Sequence, residues 1–296
     1  MAVFTIAGLT LKEALRKRSL VGSLLLGLLV VAVSLILILI RIQFKINLAE
    51  GKWTVDRFAT EYVTATSVVC GLCLFFIRIL GMLFAVLMAG GSISGEIETG
   101  LLSVIVPKPI QRWQILLGKW IGINVVLAGS VLLWTGMTYL SLKLQTRADL
   151  EEMLKVAPLL ALYPILVATV TLTFSTVFQR VLGTSLALAI GILSWADGVF
   201  FFLGEHFNVN SLVKVAHFCG LLMPQGYVAL RIKDNTQDLF SANEFMDRTP
   251  AHSSALVREW GARHLHFANL DVIYIAVYLL VVLLVGAILF HRREIA

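Results

Sequence analysis

The sequence predicts an all-α polytopic membrane protein: six transmembrane helices, an amino-terminal interfacial helix and a helical outer cap before the last span. Three observations predict it. Hydrophobic residues make up 58% of the 296 residues and charged residues only 14%, whereas a soluble domain needs roughly a quarter of its residues charged. The mean hydropathy is +0.89. Six apolar runs each approach the roughly 20 residues that a helix needs to cross a hydrocarbon core about 30 Å thick, and continuous runs of that kind satisfy their backbone in lipid as helices. The same composition excludes intrinsic disorder, and three cysteines are too few for a disulfide scaffold.

Taken in order, residues 3–18 read as a basic amphipathic helix lying in the headgroup layer. Phe4, Leu11 and Leu15 fall near one face, with Lys12, Arg16 and Lys17 beside them. A merely positive tail is the plainer alternative. The spans follow at about 19–40, 67–93, 120–142, 156–178, 181–204 and 272–290, the fourth carrying Pro158 and Pro164. Outer loops of modest length join the first and third hairpins. The segment 205–271 forms the cap, with an apolar stretch from Ser211 that dips toward the bilayer as a hairpin broken at Pro224–Gly226. The chain reads as one transmembrane domain, 1–296.

Orientation follows from the basic residues. With the amino terminus inside, the inner segments hold ten Lys and Arg against four acids, while the outer segments hold thirteen of each. The net charge of +6 therefore sits on one side, in short loops, as the positive-inside rule requires. It is an orientation signal and not a nucleic-acid footprint. Both termini are expected in the cytoplasm, the chain is expected to be integral to the cell (inner) membrane, and no cleavable signal peptide is expected.

Two ionisable residues interrupt the spans, Arg78 in the second and Asp197 in the fifth. Each lies in the outer half of its span, seven to eleven residues, or roughly 10–16 Å, from the outer end. A charge at that depth costs ~3 kcal/mol or more unless it meets a partner or water. A pair at matched depth is the economical expectation, and a substrate-facing charge in the pathway the sharper one. Cys70 and Cys73 form a C-x-x-C at the start of span two, which is either a redox or metal pair or, more simply, small-residue packing. His264 and His266, at i and i+2, diverge on a helix and make a poor metal site.

The inner loop between spans two and three, 94–119, is the only sizeable one on that side. Ser94 is placed to cap a short helix, with Glu96 and Glu98 in its first turn suiting the positive end of the dipole. Pro107 and Pro109 stop that helix, and Pro109 can begin the next. The expectation is a compact helix–turn–helix beneath the membrane.

At this loop the sequence resembles the permease subunits of type-2 ATP-binding-cassette (ABC) transporters. The resemblance is carried by Glu96, Glu98 and Gly100, then Leu101–Leu102, then Lys108–Pro109–Ile110–Gln111–Arg112, then Leu116–Leu117–Gly118–Lys119. Leu101 stands where threonine is common in the family. The layout of helices and the basic Arg292–Arg293–Glu294 tail agree. The resemblance implies that the loop couples to a cytoplasmic ATP-binding subunit, expected in two copies, through Glu96, Glu98, Gly100, Pro109 and Arg112. It also implies pairing with a second, identical or similar permease in contact with membrane lipid, and movement in the export direction. No G-x-x-x-x-G-K-[ST] occurs in the chain, so ATP and Mg are expected in the partner subunit, with no cofactor, no metal and no catalytic residue in this one. The rival readings are a non-transporting anchor for an outer-face complex, an ion-coupled carrier, which would need repeats and more buried ionisable groups, and an intramembrane enzyme, for which only Arg78 and Asp197 could serve.

Overall fold

The computed structural model describes residues 2–16, 18–51, 54–100, 111–146, 151–196, 200, 203–204, 206–225, 228 and 268–293. Among them are nine helices of regular length and no strand, which makes the protein all-α. They are α1 (Ala2–Arg16), α2 (Arg18–Ala49), α3 (Val55–Ala89), α4 (Ser94–Glu98), α5 (Arg112–Thr146), α6 (Glu151–Val177), α7 (Arg180–Trp195), α8 (Asn210–Leu222) and α9 (Ala268–Arg292).

Four stretches are long and apolar enough to cross a membrane: Val68–Glu98, Arg112–Leu144, Met153–Val177 and Val272–Arg292. The other two expected spans fall on α2 and α7, whose described apolar stretches are shorter, Gly27–Ile36 and Arg180–Ser194. Several helices outrun the expected spans. α2 continues to Ala49, α3 begins at Val55 and α5 begins at Arg112. An apolar run measures the bilayer, whereas polar residues such as Arg41, Lys45 and Glu61 are good helix formers that prolong the helix into the interface.

α6 is the centre of the bundle, with 78% of its apolar window buried and contacts to α3, α5, α7 and α9. Pro158 and Pro164 lie inside it without ending it. Its inward hydroxyls are satisfied within the helix: Thr171 and Thr173 donate to the carbonyls of Val167 and Thr169 at 2.7 and 3.0 Å. Trp134 and Tyr163 are the largest side chains closed off around it. α9, by contrast, has only 11% of its window buried, and its Val277, Leu280, Val281 and Leu284 face outward.

α1 lies on α5. The fit depends on two glycines one turn apart. A Cβ on Gly118 would stand 2.7 Å from the Cβ of Ile6, and one on Gly122 would stand 2.8 Å from the Cβ of Thr10. Ala7 and Ala14 are buried in the contact while Phe4 and Leu9 are exposed, the two-faced pattern of a helix at an interface. Residue 17 lies outside the described residues, and α2 is described from Arg18.

At the far end from α1, α8 leads to an extended Met223. Three helices hold this turn by side-chain hydrogen bonds. Ser194 of α7 donates to the carbonyl of Met223 at 2.6 Å. Tyr278 of α9 donates to that of Leu222 at 2.6 Å, and Arg78 of α3 donates to Oε1 of Gln225 at 3.4 Å. The break expected at Pro224–Gly226 thus follows α8, and the rest of the cap, including residues 229–267 with His264 and His266, lies outside the described residues.

Candidate functional site

The end of the bundle near α1 gathers most of the residues singled out in the sequence. α3 stops at Ala89, and a tight turn through Gly91, whose φ is +74, leads to α4. The regular helix within the expected span 67–93 thus stops at Ala89.

The amides at the start of α4 have no partner within their own helix. Ser94 does not cap them, contrary to the expectation: it is the first helical residue, and Ile93 at the cap position makes no side-chain bond. The cap comes from another helix. The backbone N–H groups of Ile93 and Ser94 donate to Oγ of Ser175 at 3.1 and 3.0 Å, and Ser175 in turn donates to Oγ of Ser94 at 3.4 Å. Ser175 is fully buried near the end of α6.

The two acids of α4 point to two further helices. Glu96 forms an ion pair with Lys119 of α5 at 2.6 Å, and Lys119 also donates to the carbonyl of Ser92. Lys119 is buried despite its charge; the pair and the carbonyl offset the desolvation. Glu98 accepts the backbone N–H of Arg180, the first residue of α7, at 3.3 Å. An acid there favours the positive end of the α7 dipole. Thr99 and Gly100 close α4. Gly100 has φ +70 and donates its N–H to Ile97 at 3.1 Å. The glycine thus serves a left-handed helix end, where a side chain would be strained.

Arg112 opens α5 and reaches across to the end of α9. Its guanidinium donates to the carbonyls of Phe290 at 3.1 Å and His291 at 3.3 Å, and to that of Arg293. A cation is favoured at a helix C-terminus, where carbonyls lack intrahelical partners. Arg293 extends the network by donating to the carbonyl of Thr176 in α6 at 2.7 Å. Pro109 lies outside the described residues.

The structure thus brings Glu96, Glu98, Gly100 and Arg112 to one end and shows them engaged within the chain. Lys119, Ser175, Arg180 and Arg293 belong to the same network. In the sequence the three basic residues counted toward orientation, Lys119 also toward the loop motif, and nothing singled out Ser175. A basic residue beside a helix end was the available signal.

Arg78 lies deeper in the bundle. Besides Gln225, it packs over the ring of Tyr163, 4.2 Å from the centroid. Asp197 lies outside the described residues, and with it the expected ion pair. Cys70 and Cys73 are free thiols buried where α3 meets α2, with Sγ of Cys73 4.0 Å from the carbonyl of Val30.

α4 ends at Glu98 with a left-handed Gly100, well before Pro107, the residue expected to stop it; the turn expected through 101–110 lies outside the described residues. The family model described as ABC-2 family transporter protein matches residues 4–295, almost the whole chain. The chain belongs to that family. A comparison with curated proteins finds no match. As an ABC-2 permease subunit, the protein is a membrane transport component without an ATPase domain of its own, and the family implies association with an ATP-binding subunit.

Proposed function

We propose that this ABC-2 permease couples ATP hydrolysis in a separate cytoplasmic subunit to substrate movement across the cell membrane, in the export direction, through the segment 94–119. The observation that carries the reading is the set of ties around α4. Its amides are held by α6, Glu96 by α5 and Glu98 by α7. A push on this five-residue helix therefore reaches three helices of the bundle at once, which suits a rigid-body switch between two access states.

In this reading the α4 end is cytoplasmic, as the basic residues favour, and both termini lie there. Two ATP-binding subunits hold the nucleotide and Mg, and serve a pair of permeases, identical or similar. Glu96 and Arg112 then act as positioning residues that hold the loop to the bundle. The exposed side of α4, with Glu98, Thr99 and Gly100, meets the ATPase, and Pro109 sets the path of the chain into α5. Arg78, beside Tyr163 and Gln225, lines or closes the outer half of the pathway, together with Asp197.

Crosslinking tests this reading. All three native cysteines are buried, so an introduced surface thiol stands out. A cysteine at Thr99, which is exposed, should crosslink to the ATP-binding subunit in whole membranes. One at Phe207, 64% exposed at the opposite end, should not. Crosslinking from position 207 and none from 99 would overturn both orientation and coupling site.

A further inference from the structure

The end of α6 and the start of α7 meet beside α4 in a tight turn at residues 177–180, outside the segment 94–119. Arg180 opens α7 and shares a face of that helix with Thr184, Ala187 and Gly191, at i+4, i+7 and i+11. This face is turned into the bundle. Ala187 is fully buried, a Cβ on Gly90 would stand 2.7 Å from Oγ1 of Thr184, and one on Gly191 would meet Met82 and Val167. Val181, Leu182 and Leu186 are exposed on the side of α7 away from the bundle. Arg180 therefore points beneath the bundle toward α4, and not outward with the apolar side chains that meet lipid.

The root of the Arg180 side chain is fixed. Its backbone N–H donates to Oε1 of Glu98 at 3.3 Å, and its carbonyl accepts the hydroxyl of Thr184. Its Cγ and Cδ lie over Gly91, 2.6 Å from where a Cβ would stand. Gly91, with φ +74, thus both turns the chain and leaves room for the arginine stem. The guanidinium at the end of that stem makes no hydrogen bond or ion pair with any described residue. The neighbouring acids are engaged elsewhere: Glu96 pairs with Lys119, and Glu98 meets the N–H of Arg180, not its guanidinium. Arg180 is exposed, as are Gln179, Glu98, Thr99 and Gly100 around it. A cation whose stem is already held loses less freedom on meeting a partner.

We infer that Arg180 is a second docking point for the ATP-binding subunit, outside the segment 94–119, and that it takes a carboxylate of that subunit. The inference rests on the coupling role proposed for α4, whose exposed Glu98, Thr99 and Gly100 adjoin it. A planar guanidinium binds a carboxylate by two parallel hydrogen bonds. With Glu98 beside it, the surface presents one charge of each sign, which sets the register of the partner. Because Arg180 opens α7, a pull on its side chain acts on α7 directly.

The test compares tagged full-length permease, purified with its ATP-binding subunit, as the unaltered chain and as Arg180→Glu, Arg180→Gln and Arg180→Lys. Arg180→Glu keeps the backbone bond to Glu98, so the melting temperature of the permease alone should hold while the bound ATP-binding subunit falls at least about tenfold. Arg180→Gln should lose less and should flatten the weakening of the complex by salt. Arg180→Lys should recover part of the binding. Phosphatidylglycerol retained by the permease, read by native mass spectrometry, should not change. Normal binding and salt response in Arg180→Glu would overturn the inference. Loss of phosphatidylglycerol with the ATP-binding subunit bound as before would make Arg180 a lipid anchor and overturn it too. So would a melting temperature lowered alike in all three variants, the mark of a merely structural arginine. The cysteine at position 99 separates this inference from the reading it rests on. Crosslinking from 99 together with normal binding by Arg180→Glu removes only the role of Arg180, whereas an unaltered permease that captures no ATP-binding subunit removes both.

Discussion

The buried ion pair between Glu96 and Lys119 offers a quantitative test of how α4 is held. At 2.6 Å the gross attraction is about 6 kcal/mol at an effective dielectric of about 20. Much of that is cancelled by desolvation, because the Lys119 side chain is only 8% exposed and that of Glu96 25%. Lys119→Met keeps most of the stem and removes the ammonium, leaving Glu96 and the Ser92 carbonyl without it. Glu96 can rehydrate through its open side, so the expected loss is about 2–3 kcal/mol, below the 3–5 of a fully buried pair. Glu96→Gln strands the deeper partner and should cost about 3 kcal/mol. The double mutant should lose no more than the worse single, a coupling of at least about 2 kcal/mol. The assay is reversible unfolding in detergent of the unaltered chain and the three variants. Losses that add in the double mutant would show that the pair contributes no coupling and that α4 is held by other means.

Three more outcomes follow from the geometry. Gly122→Leu should force α1 off α5 against Thr10 and Ala7, costing about 1–3 kcal/mol, and limited trypsin digestion should cleave at Lys12 faster than in the unaltered chain. Ser175→Ala removes the acceptor for two amides of the α4 turn; a loss of about 1–3 kcal/mol and faster hydrogen exchange at Ile93 and Ser94 are expected. Arg112→Ala should release the α9 end, with a loss of about 1.5–3 kcal/mol for a charged donor and faster exchange across residues 286–292 than across 272–278.

The apolar runs were legible because lipid imposes a run length on any helix that crosses it. The family was legible at 94–119 because its acids, glycine and Lys-Pro pattern sit together in the chain. What joins that loop to the bundle was not. Ser175, Arg293 and the end of α9 lie 80 residues or more from the groups they bond, and a neutral serine among threonines carries no signal of a distant amide. Arg78 shows the same limit. Gln225 and Tyr163, which it touches, are neutral and leave no mark in a charge count. Apolar runs measured the spans and not the helices, as at Ala49 and Val55, where α2 and α3 extend past the expected spans. The structure also bears on how the loop is to be probed. Reversing Glu96 or Arg112 would first break ties within the permease, so Glu98, exposed and bonded only at 3.3 Å, is the cleaner site.

The central claim is that a separate ATPase acts on this permease through α4. The most direct measurement is affinity purification of the tagged, full-length permease from its native membrane, with identification of any co-purifying chain bearing G-x-x-x-x-G-K-[ST] and measurement of ATP hydrolysis per permease. The unaltered protein should carry such a chain at one copy per permease, with hydrolysis that changes when the permease is removed. Glu98→Lys, inserted at normal level, should lose at least about tenfold of the bound subunit or of that response. A permease that brings down no nucleotide-hydrolysing partner, or a Glu98→Lys variant that binds and modulates it as the unaltered chain does, would contradict the account.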